Sequence, residues 1–429
     1  MSKSVSTLPS KKAAIFFKRH SIWISLAILF GVLPLVFKSS FAMPLLNQIY
    51  ISIILALSFN MLFGQCGLLT FSHAIYFGLG GFVAIHAMRI IGTGAISFPL
   101  FMLPLIGGAA GLFFGLIFGS VSVKSAGIPF ALITIGIGEL VHAIAQVPNP
   151  FFGGEQGIRG DRTAGPQLLG ITFGPQIEVY YLIAAWTLLS IVLMYAFSRT
   201  PVGRLSNAVR DNPERAQFVG YNPQRVRFIV FSLAGFFAGI AGGLYAINYE
   251  IFTSDNLTII KSSDIISMAF LGGIRHFWGP ILGGIILTLM FSVLSDYSAA
   301  WFFYVGIFFV IFVLYAPGGL ASLLMMHLPV LKAHRLHKLM PVYLRALVPG
   351  VILAAGVIGL IEISYLSFAS VVSTEMNLWG IHFDAKTPWP WIFSIALAGI
   401  GFYFLRRMLP IVASRWGDIN REINERQER

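Results

Sequence analysis

Residues 199–227 read RTPVGRLSNAVRDNPERAQFVGYNPQRVR, and they place six arginines between two long apolar runs. Pro201 and Gly203 stand near the start of this segment, and Gly220 and Pro223 stand near its end, a pattern typical of a short helix with defined ends. The positive-inside rule predicts that such a loop lies on the cytoplasmic side of a membrane. The residue pattern leaves two interpretations open: a docking helix for a soluble partner, or a solvated loop that only fixes topology.

Apolar runs like the two beside this arginine loop recur along all 429 residues of the chain. Hydrophobic residues make up 57% of the sequence and charged residues 11%, and the mean hydropathy is +0.81. Runs of about 18 residues or more are long enough to cross a hydrocarbon core. Because the runs are continuous and do not alternate, they exclude a transmembrane β-barrel. The predicted fold class is therefore all-α, a polytopic helical membrane protein.

The positive charge gathers in four clusters between the apolar runs. Lys and Arg number five in residues 1–20, six in 199–227, four in 332–345 and six in 406–429. This placement predicts four cytoplasmic segments, with both termini cytoplasmic. The net charge of +12 is accordingly not a sign of nucleic-acid binding, since neither an aromatic-interleaved basic groove nor zinc-ligand spacing accompanies it.

Division of the apolar runs at glycine and proline predicts about 12 membrane segments, including broken or re-entrant helices. The run 265–296 is too long for one untilted crossing and is interrupted at Gly272–Pro280, so we split it in two. The predicted crossings are 21–37, 42–63, 68–90, 97–121, 126–147, 179–197, 228–250, the two pieces of 265–296, 300–326, 347–372 and 389–409.

This segmentation predicts five regions. They are a cytoplasmic tail (1–20), a transmembrane core (21–326) that contains the arginine loop, a basic cytoplasmic loop (327–346), two additional transmembrane helices (347–412) and a second cytoplasmic tail (413–429). Parity places the glycine-rich loop Pro148–Pro175 outside, where it is either a contact for an extracytoplasmic partner or an inert connector.

Glycine interrupts two apolar segments, Gly64–Gly81 and Leu271–Gly284. Paired broken helices in the two halves of a transporter indicate a substrate path, although the same glycines also suit tight helix crossings. His73 is either a residue of that path or a packing residue that bonds a neighbouring helix. The candidate path residues are Thr70, Ser72, His73, Gly78, Gly272, Gly273, Arg275, Gly279 and Pro280.

Signatures of soluble enzymes are missing from the sequence. It contains no GxSxG elbow, no HExxH and no paired CxxC, and its one cysteine, Cys66, permits no internal disulfide. It also lacks a GxxxxGK[ST] phosphate loop, so a motor that docks on the arginine loop must be another chain. Glu139 and His142 lie three residues apart on the fifth crossing, and we interpret them as residues near a membrane boundary.

Four motifs in this order resemble the permease of the branched-chain amino acid ABC transporters, the LivM-like branch, over residues 45–325. They are the segment Gly67–Gly81, the loop Gly153–Ile158, the stretch Gly203–Gly220, and Gly272–Gly283 followed by Ala316–Leu320. Ser72 and Arg275 depart from the pattern, because the family usually has glycine at both positions.

The resemblance implies a membrane permease subunit of an ATP-binding-cassette importer in the bacterial inner membrane, not itself an enzyme. Its substrates would be branched-chain or other hydrophobic amino acids or related small solutes. The implied partners are a second related permease, two cytoplasmic ATPase subunits and a periplasmic solute-binding protein, beside membrane lipid. We expect no cofactor or metal in this chain, because ATP and Mg would be bound by partner subunits.

The resemblance also implies roles for two sets of residues. The arginine loop would be a coupling helix seated on the ATPase, through Gly203, Arg204, Arg210, Asp211, Pro213, Glu214, Arg215, Ala216 and Gly220. The glycine-rich loop would meet the binding protein through Gly153, Gly154, Glu155, Gly157 and Arg159. The alternative function is a stand-alone ion-coupled secondary transporter, which predicts paired carboxylates at mid-membrane depth and transport without ATP.

Overall fold

The structure, a computed structural model, describes residues 11–37, 39, 41–166, 170–369, 375–378, 381–384 and 386–427. Within these ranges the chain is all-α, as the composition predicts, with two short antiparallel strand pairs. The helices are α1 Lys11–Val36, α2 Ala42–Cys66, α3 Ala74–Gly92, α4 Leu103–Ser122, α5 Ile128–Gln146, α6 Gln176–Arg199, α7 Pro201–Asp211, α8 Pro213–Phe218, α9 Pro223–Tyr249, α10 Ile259–Gly272, α11 Gly279–Tyr297, α12 Trp301–Tyr315, α13 Gly319–Lys332, α14 Leu336–Ala369 and α15 Pro388–Gln427. The strand pairs are β1 Ile158–Arg159 with β2 Ile251–Phe252, and β3 Glu375–Leu378 with β4 Ile381–Asp384.

Nine of the described helices are long and apolar enough to cross a membrane: α2 to α6, α9, α11, α14 and α15. Helices α12 and α13 together form a tenth candidate span, bent by 50° at the break between them. The other two of the twelve predicted segments are shorter than a full crossing requires. The apolar part of α1 is Ser21–Val36, and α10 has 14 residues.

The chain divides into two compact units, Met1–Leu289 and Met290–Arg429, with the boundary inside α11. In the first unit, α2 is buried along nearly its whole length, and α3, α4 and α9 pack together beside it. Small residues permit this packing: Gly107 and Gly111 of α4 face Gly239 of α9, where an added Cβ would lie 3.0 Å from the Gly111 Cα. Close backbone approach through glycine is a regular feature of helix pairs in lipid.

Contacts within the first unit show which segments share an end of its helices. At the end that carries the arginine loop, Gln224 Nε2 donates to the carbonyl of Lys124, just after α4. The Trp23 ring of α1 packs against Tyr195 near the end of α6, with centroids 5.1 Å apart. At the opposite end, β1 of the glycine-rich loop pairs with β2, just after α9. The arginine loop and the glycine-rich loop therefore lie at opposite ends of the unit.

In the second unit, α14 and α15 form a hairpin with glycines at the contact. A Cβ at Gly356 would lie 2.8 Å from the Ala398 Cα. Near the ends of the hairpin that lie beside α13, Lys338 Nζ binds Glu422 Oε2 at 2.8 Å. Helices α13 and α14 cover the basic segment 327–346 except for a short turn at 333–335.

Candidate functional site: the arginine loop and the helix breaks

The arginine loop folds into two short helices, α7 and α8, rather than one. Side chains cap three successive helix starts: Thr200 Oγ1 accepts from Gly203 N, Asn212 Oδ1 from Arg215 N at 2.8 Å, and Asn222 Oδ1 from Gln224 N at 2.9 Å. Such oxygens satisfy the free N–H groups of a first turn. The break falls at Asn212 because the following Pro213 disfavours helical backbone at the residue before it.

One face of this helix pair is anchored to the membrane helices. Gly203, Ser206, Val209 and Ala216 are buried, and α7 packs against α2, α6 and α9. A Cβ at Gly203 would lie 2.8 Å from the Ser198 Cα, so only glycine fits this crossing. The opposite face is open to solvent and carries Arg204, Asp211, Glu214 and Arg215, with Pro213 half-buried. The pair is thus held firmly on one side and is free on the other.

Apolar side chains at the end of α8 and just after it are highly exposed. Phe218 is 91% exposed, Val219 71% and Tyr221 51%, while Gly220 between them has a positive φ of 92°. Beside this end lies an open cleft of about 630 Å³, lined among others by Glu214, Gln217 and Arg227. Contiguous exposed apolar side chains with a polar surround are typical of an interaction surface. The sequence interpretation concentrated on the charges and missed this Phe-Val-Gly-Tyr run.

Arg210 points back toward the membrane helices. Its Nη1 donates to the carbonyl oxygen of Gly64, near the end of α2, and its Nε donates to Asp211 Oδ1 at 2.9 Å. A Cβ at Gly67, which has a φ of 73°, would lie 3.0 Å from the Arg210 Cγ. Arg210 therefore joins α7 to the point where α2 ends.

The first helix break runs from Gly67 to His73, between α2 and α3, and its polar side chains are buried. His73 Nε2 lies 2.8 Å from Ser58 Oγ, and that hydroxyl donates its own proton to the Leu55 carbonyl, so the histidine is the donor of the pair. Ser72 Oγ donates to the Thr134 carbonyl, and Thr70 Oγ1 accepts from Ser72 N. The structure thus gives these three candidate path residues internal partners.

The second break runs from Gly273 to Trp278, between α10 and α11. A Cβ at Gly272 would lie 2.9 Å from Gly283 N, so the two helices pass at backbone contact. The adjacent candidates Gly279 and Pro280 are also buried, whereas Arg275 is exposed. Gly78, the remaining candidate, packs against the Leu257 side chain.

The two breaks meet beside the arginine loop. A Cβ at Gly64 would collide with the Ile274 carbonyl oxygen, which places the end of α2 directly against the second break. A cavity of about 520 Å³ lies at this junction, and Arg210 and Arg275 are among its lining residues. We call Gly64–Gly67, Arg210 and Gly272–Gly279 the joint. The sequence paired the two breaks by position; their convergence on Arg210 is an additional finding.

At the opposite end, the glycine-rich loop has a rigid frame and two exposed charges. Gly153, Gly154 and Gly157 have φ values between 65° and 73°, and Glu155 and Arg159 are exposed. The hydroxyl and amide of Thr163 both donate to Asp161, which holds the pKa of that carboxyl below its usual value.

Arg162, which the sequence interpretation missed, fixes this loop to the ends of α9 and α6. Its Nη1 donates to the carbonyls of Ile247 and Asn248 at 3.2 Å, and its backbone N–H donates to Glu250 Oε1 at 2.9 Å. Replacing Arg162 with methionine is expected to lower stability by about 1.5–3 kcal/mol, because charged hydrogen bonds to buried carbonyls are lost. Thermal unfolding of the purified variant measures this, with Arg159→Met, an exposed neighbour, as the control. An unchanged midpoint for Arg162→Met would contradict the anchoring role.

Among the described residues, no group of three or more His, Cys, Asp or Glu side chains is arranged to hold a metal ion.

Comparison with known proteins shows which family the sequence resembles. The model of the family described as branched-chain amino acid transport system / permease component matches residues 41–316. The high-affinity branched-chain amino acid transport system permease protein LivM of Escherichia coli (strain K12) is 25% identical over 325 residues, which is 71% of this chain and 75% of that protein.

Other relatives are permeases named for solutes that are not amino acids. The guanosine ABC transporter permease protein NupQ of Bacillus subtilis (strain 168) is 27% identical over 204 residues, 44% of this chain and 60% of that protein. The fructose import permease protein FrcC of Rhizobium meliloti is 28% identical over 224 residues, 50% and 59% of the two chains. No solved structure gives a significant match. With about two thirds of its length matched by the family model, the chain belongs to the permease components of branched-chain amino acid transport systems.

Proposed function

We propose that this chain is a membrane subunit of an ATP-driven importer for branched-chain or other hydrophobic amino acids. The observation that carries the proposal is the α7–α8 pair, anchored by its buried face to α2, α6 and α9 and exposing Phe218, Val219 and Tyr221. An isolated protein gains nothing from such an apolar tip, whereas a separate ATPase subunit could bury it. Amino acids are the favoured substrates because the family model that matches residues 41–316 is described for branched-chain amino acid transport, and LivM matches 71% of this chain.

In this proposal the joint transmits movement of the ATPase to the helices. Closure of two ATPase subunits on ATP displaces α7 and α8, and Arg210 carries the displacement to the end of α2. Since Ile274 of the second break lies directly against Gly64, the helices on both sides of the joint must respond together. Packed elements of this kind switch between discrete arrangements, so the displacement changes which end of the path is open.

The opposite end suits delivery of solute by a periplasmic binding protein. Glu155 and Arg159 project from a loop whose backbone is fixed by β1–β2 pairing and by Arg162. Exposed charges of both signs on a rigid frame favour orientation of a soluble partner. A second, related permease subunit would complete the path, because α5 leaves most of its surface uncovered by this chain.

Replacing Phe218 with aspartate is expected to reduce co-purification of the ATPase subunits at least about tenfold, since a charge then faces an apolar pocket. The side chain is 91% exposed, so the membrane helices should fold as before. The measurement is the ratio of ATPase to permease after affinity purification from membranes.

Tyr297→Asp is the matched control, an 83% exposed aromatic outside the arginine loop, and it should leave that ratio unchanged. Full recovery of ATPase with Phe218→Asp would refute docking at this surface. Uptake by the purified chain in vesicles without ATP would favour the ion-coupled alternative instead.

A further inference from the structure

Helix α10 begins beside the first turns of α3, which itself starts partway along α2, since His73 lies 2.8 Å from Ser58 of α2. Leu257, two residues before α10, packs against Gly78 of α3. Gly80, half a turn further, lies against Gly239, the seventeenth of the 27 residues of α9. The first turn of α10 is fixed there because Ser262 Oγ accepts from Ala74 N at 3.1 Å. The start of α10 therefore lies near mid-membrane depth.

The side of α10 that this chain leaves uncovered is mixed, because Ile259 and Ile260 are 39% and 65% exposed beside its polar residues. Ser263 is exposed, and Lys261, Asp264 and Ser267 are half-buried, whereas Ile265, Ile266 and Ala269 on the other side are buried. Lys261 and Asp264 stand one turn apart on the same helix surface. The backbone N–H of Lys261 donates to Thr258 Oγ1, but within the described part of the chain no ion pair or hydrogen bond engages the Lys261 ammonium or the Asp264 carboxylate.

Helix α5 adds a third charge at the same level. Glu139 is the twelfth of the 19 residues of α5, close to the centre of a membrane-spanning helix, and it is exposed. It borders one small cleft with Ser72, Leu257 and Ile259, the first residue of α10. The sequence interpretation placed Glu139 near a membrane boundary, and the structure corrects this position.

Three ionisable side chains at this depth do not suit contact with lipid. A charged side chain at the centre of a bilayer costs about 2.5–3.5 kcal/mol or more on insertion scales, so such residues face protein or a water-filled cavity. In contrast, the exposed residues of α4 include Phe113, Leu116 and Ile117, which are compatible with lipid. The surface around Glu139 and Lys261 thus differs from that of α4 in carrying charges, although it also exposes Leu140 and Ile260.

We propose that Glu139, Lys261, Ser263, Asp264 and Ser267 line the aqueous path and form a transient site for a zwitterionic solute. The Lys261 ammonium pairs with the carboxylate of the solute, and Glu139 and Asp264 pair with its ammonium group. A sugar or a nucleoside carries no such pair of opposed charges, so this surface favours a zwitterion, the form of the amino acids in the proposed function. The proposal rests on the proposed function and deepens it.

The lone cysteine of this chain makes a direct test possible. Cys66 is buried, with 1% exposure, and should not react with a membrane-impermeant methanethiosulfonate. In the transporter assembled with its own partners in membrane vesicles, Glu139→Cys and Ser263→Cys should react, and Phe113→Cys on the apolar surface of α4 should not. Lack of reaction at both 139 and 263 would overturn the placement of the path, and it would leave ATPase docking at Phe218 untouched.

The charge preference is tested by protection of Ser263→Cys from labelling. Leucine should slow the labelling, whereas 3-methylbutylamine and 4-methylpentanoate, which carry one charge each, should not. Lys261→Met should abolish the protection by leucine, whereas Asp418→Asn, an exposed carboxylate of α15, is the control variant that should keep it. Equal protection by all three compounds, or full protection in Lys261→Met, would overturn the zwitterion site.

Discussion

Replacing Arg210 with methionine is expected to lower ATP-driven uptake about tenfold or more while ATP hydrolysis by the assembled complex continues. The Arg210 guanidinium bonds the Gly64 carbonyl and Asp211 at the same time, and a hydrogen bond from a charged group contributes about 1.5–3 kcal/mol. Without that bond, α7 can move with the ATPase while α2 stays behind. The variant should therefore consume ATP without moving solute.

Two control variants test whether the effect is specific to the Arg210 guanidinium. Arg210→Lys keeps the positive charge but lacks the planar fork that reaches both partners, so it should uncouple transport partially. Arg406→Met removes an exposed arginine of α15 and should transport normally. Uptake per ATP is the quantity to measure in proteoliposomes. If Arg210→Met instead lost the ATPase subunits altogether, Arg210 would be a docking residue and not a residue of the joint.

Replacing Gly239 with valine is expected to prevent stable folding of the first unit. Its Cβ would meet the Gly107 carbonyl and lie 3.0 Å from the Gly111 Cα, and both obstacles are backbone that no rotamer change can move. Overpacking usually costs about 1–3 kcal/mol, and we expect at least the upper end here. The readout is the thermal midpoint and the monodisperse yield in detergent.

Gly306→Val is the matched control, because nothing lies within 4 Å of a Cβ added at that glycine of α12. It should give a near-normal yield and midpoint. A normal midpoint for Gly239→Val would mean that α4 and α9 do not pack at glycine contact, and the arrangement of the first unit would need revision.

Composition and hydropathy were sufficient to predict an all-α membrane fold, because a long apolar run has few alternatives to a spanning helix. The number of helices that cross the membrane fully was harder to predict from the sequence. Polar residues at 253–258 delay the start of α10 until mid-depth, and Pro317 with Gly318 bends the α12–α13 pair. Those effects depend on how each break packs against distant helices, which hydropathy does not report.

The candidate site was predictable where the chemistry is local. Pro201 and Pro223 occupy the first position of their helices, where proline is favoured, and the capping oxygens of Thr200 and Asn212 could have been identified from the sequence. The inward direction of Arg210 depends on a residue 146 positions away. Glu139 was misjudged although the predicted crossing 126–147 is close to α5 and already placed it well inside the helix. Its neighbours on α10 were not predictable, because they lie more than a hundred residues further along the chain.

In the proposed mechanism, convergence of both helix breaks on one arginine would limit the intermediate states available to this protein. If each break had its own link to the cytoplasmic side, one could loosen while the other stayed shut, and ions could slip through a half-open bundle. The joint would prevent such independent movement, because the backbone at Gly64 cannot shift without displacing Ile274. The joint itself would then prevent ions from leaking across an energised membrane, even when no solute is bound.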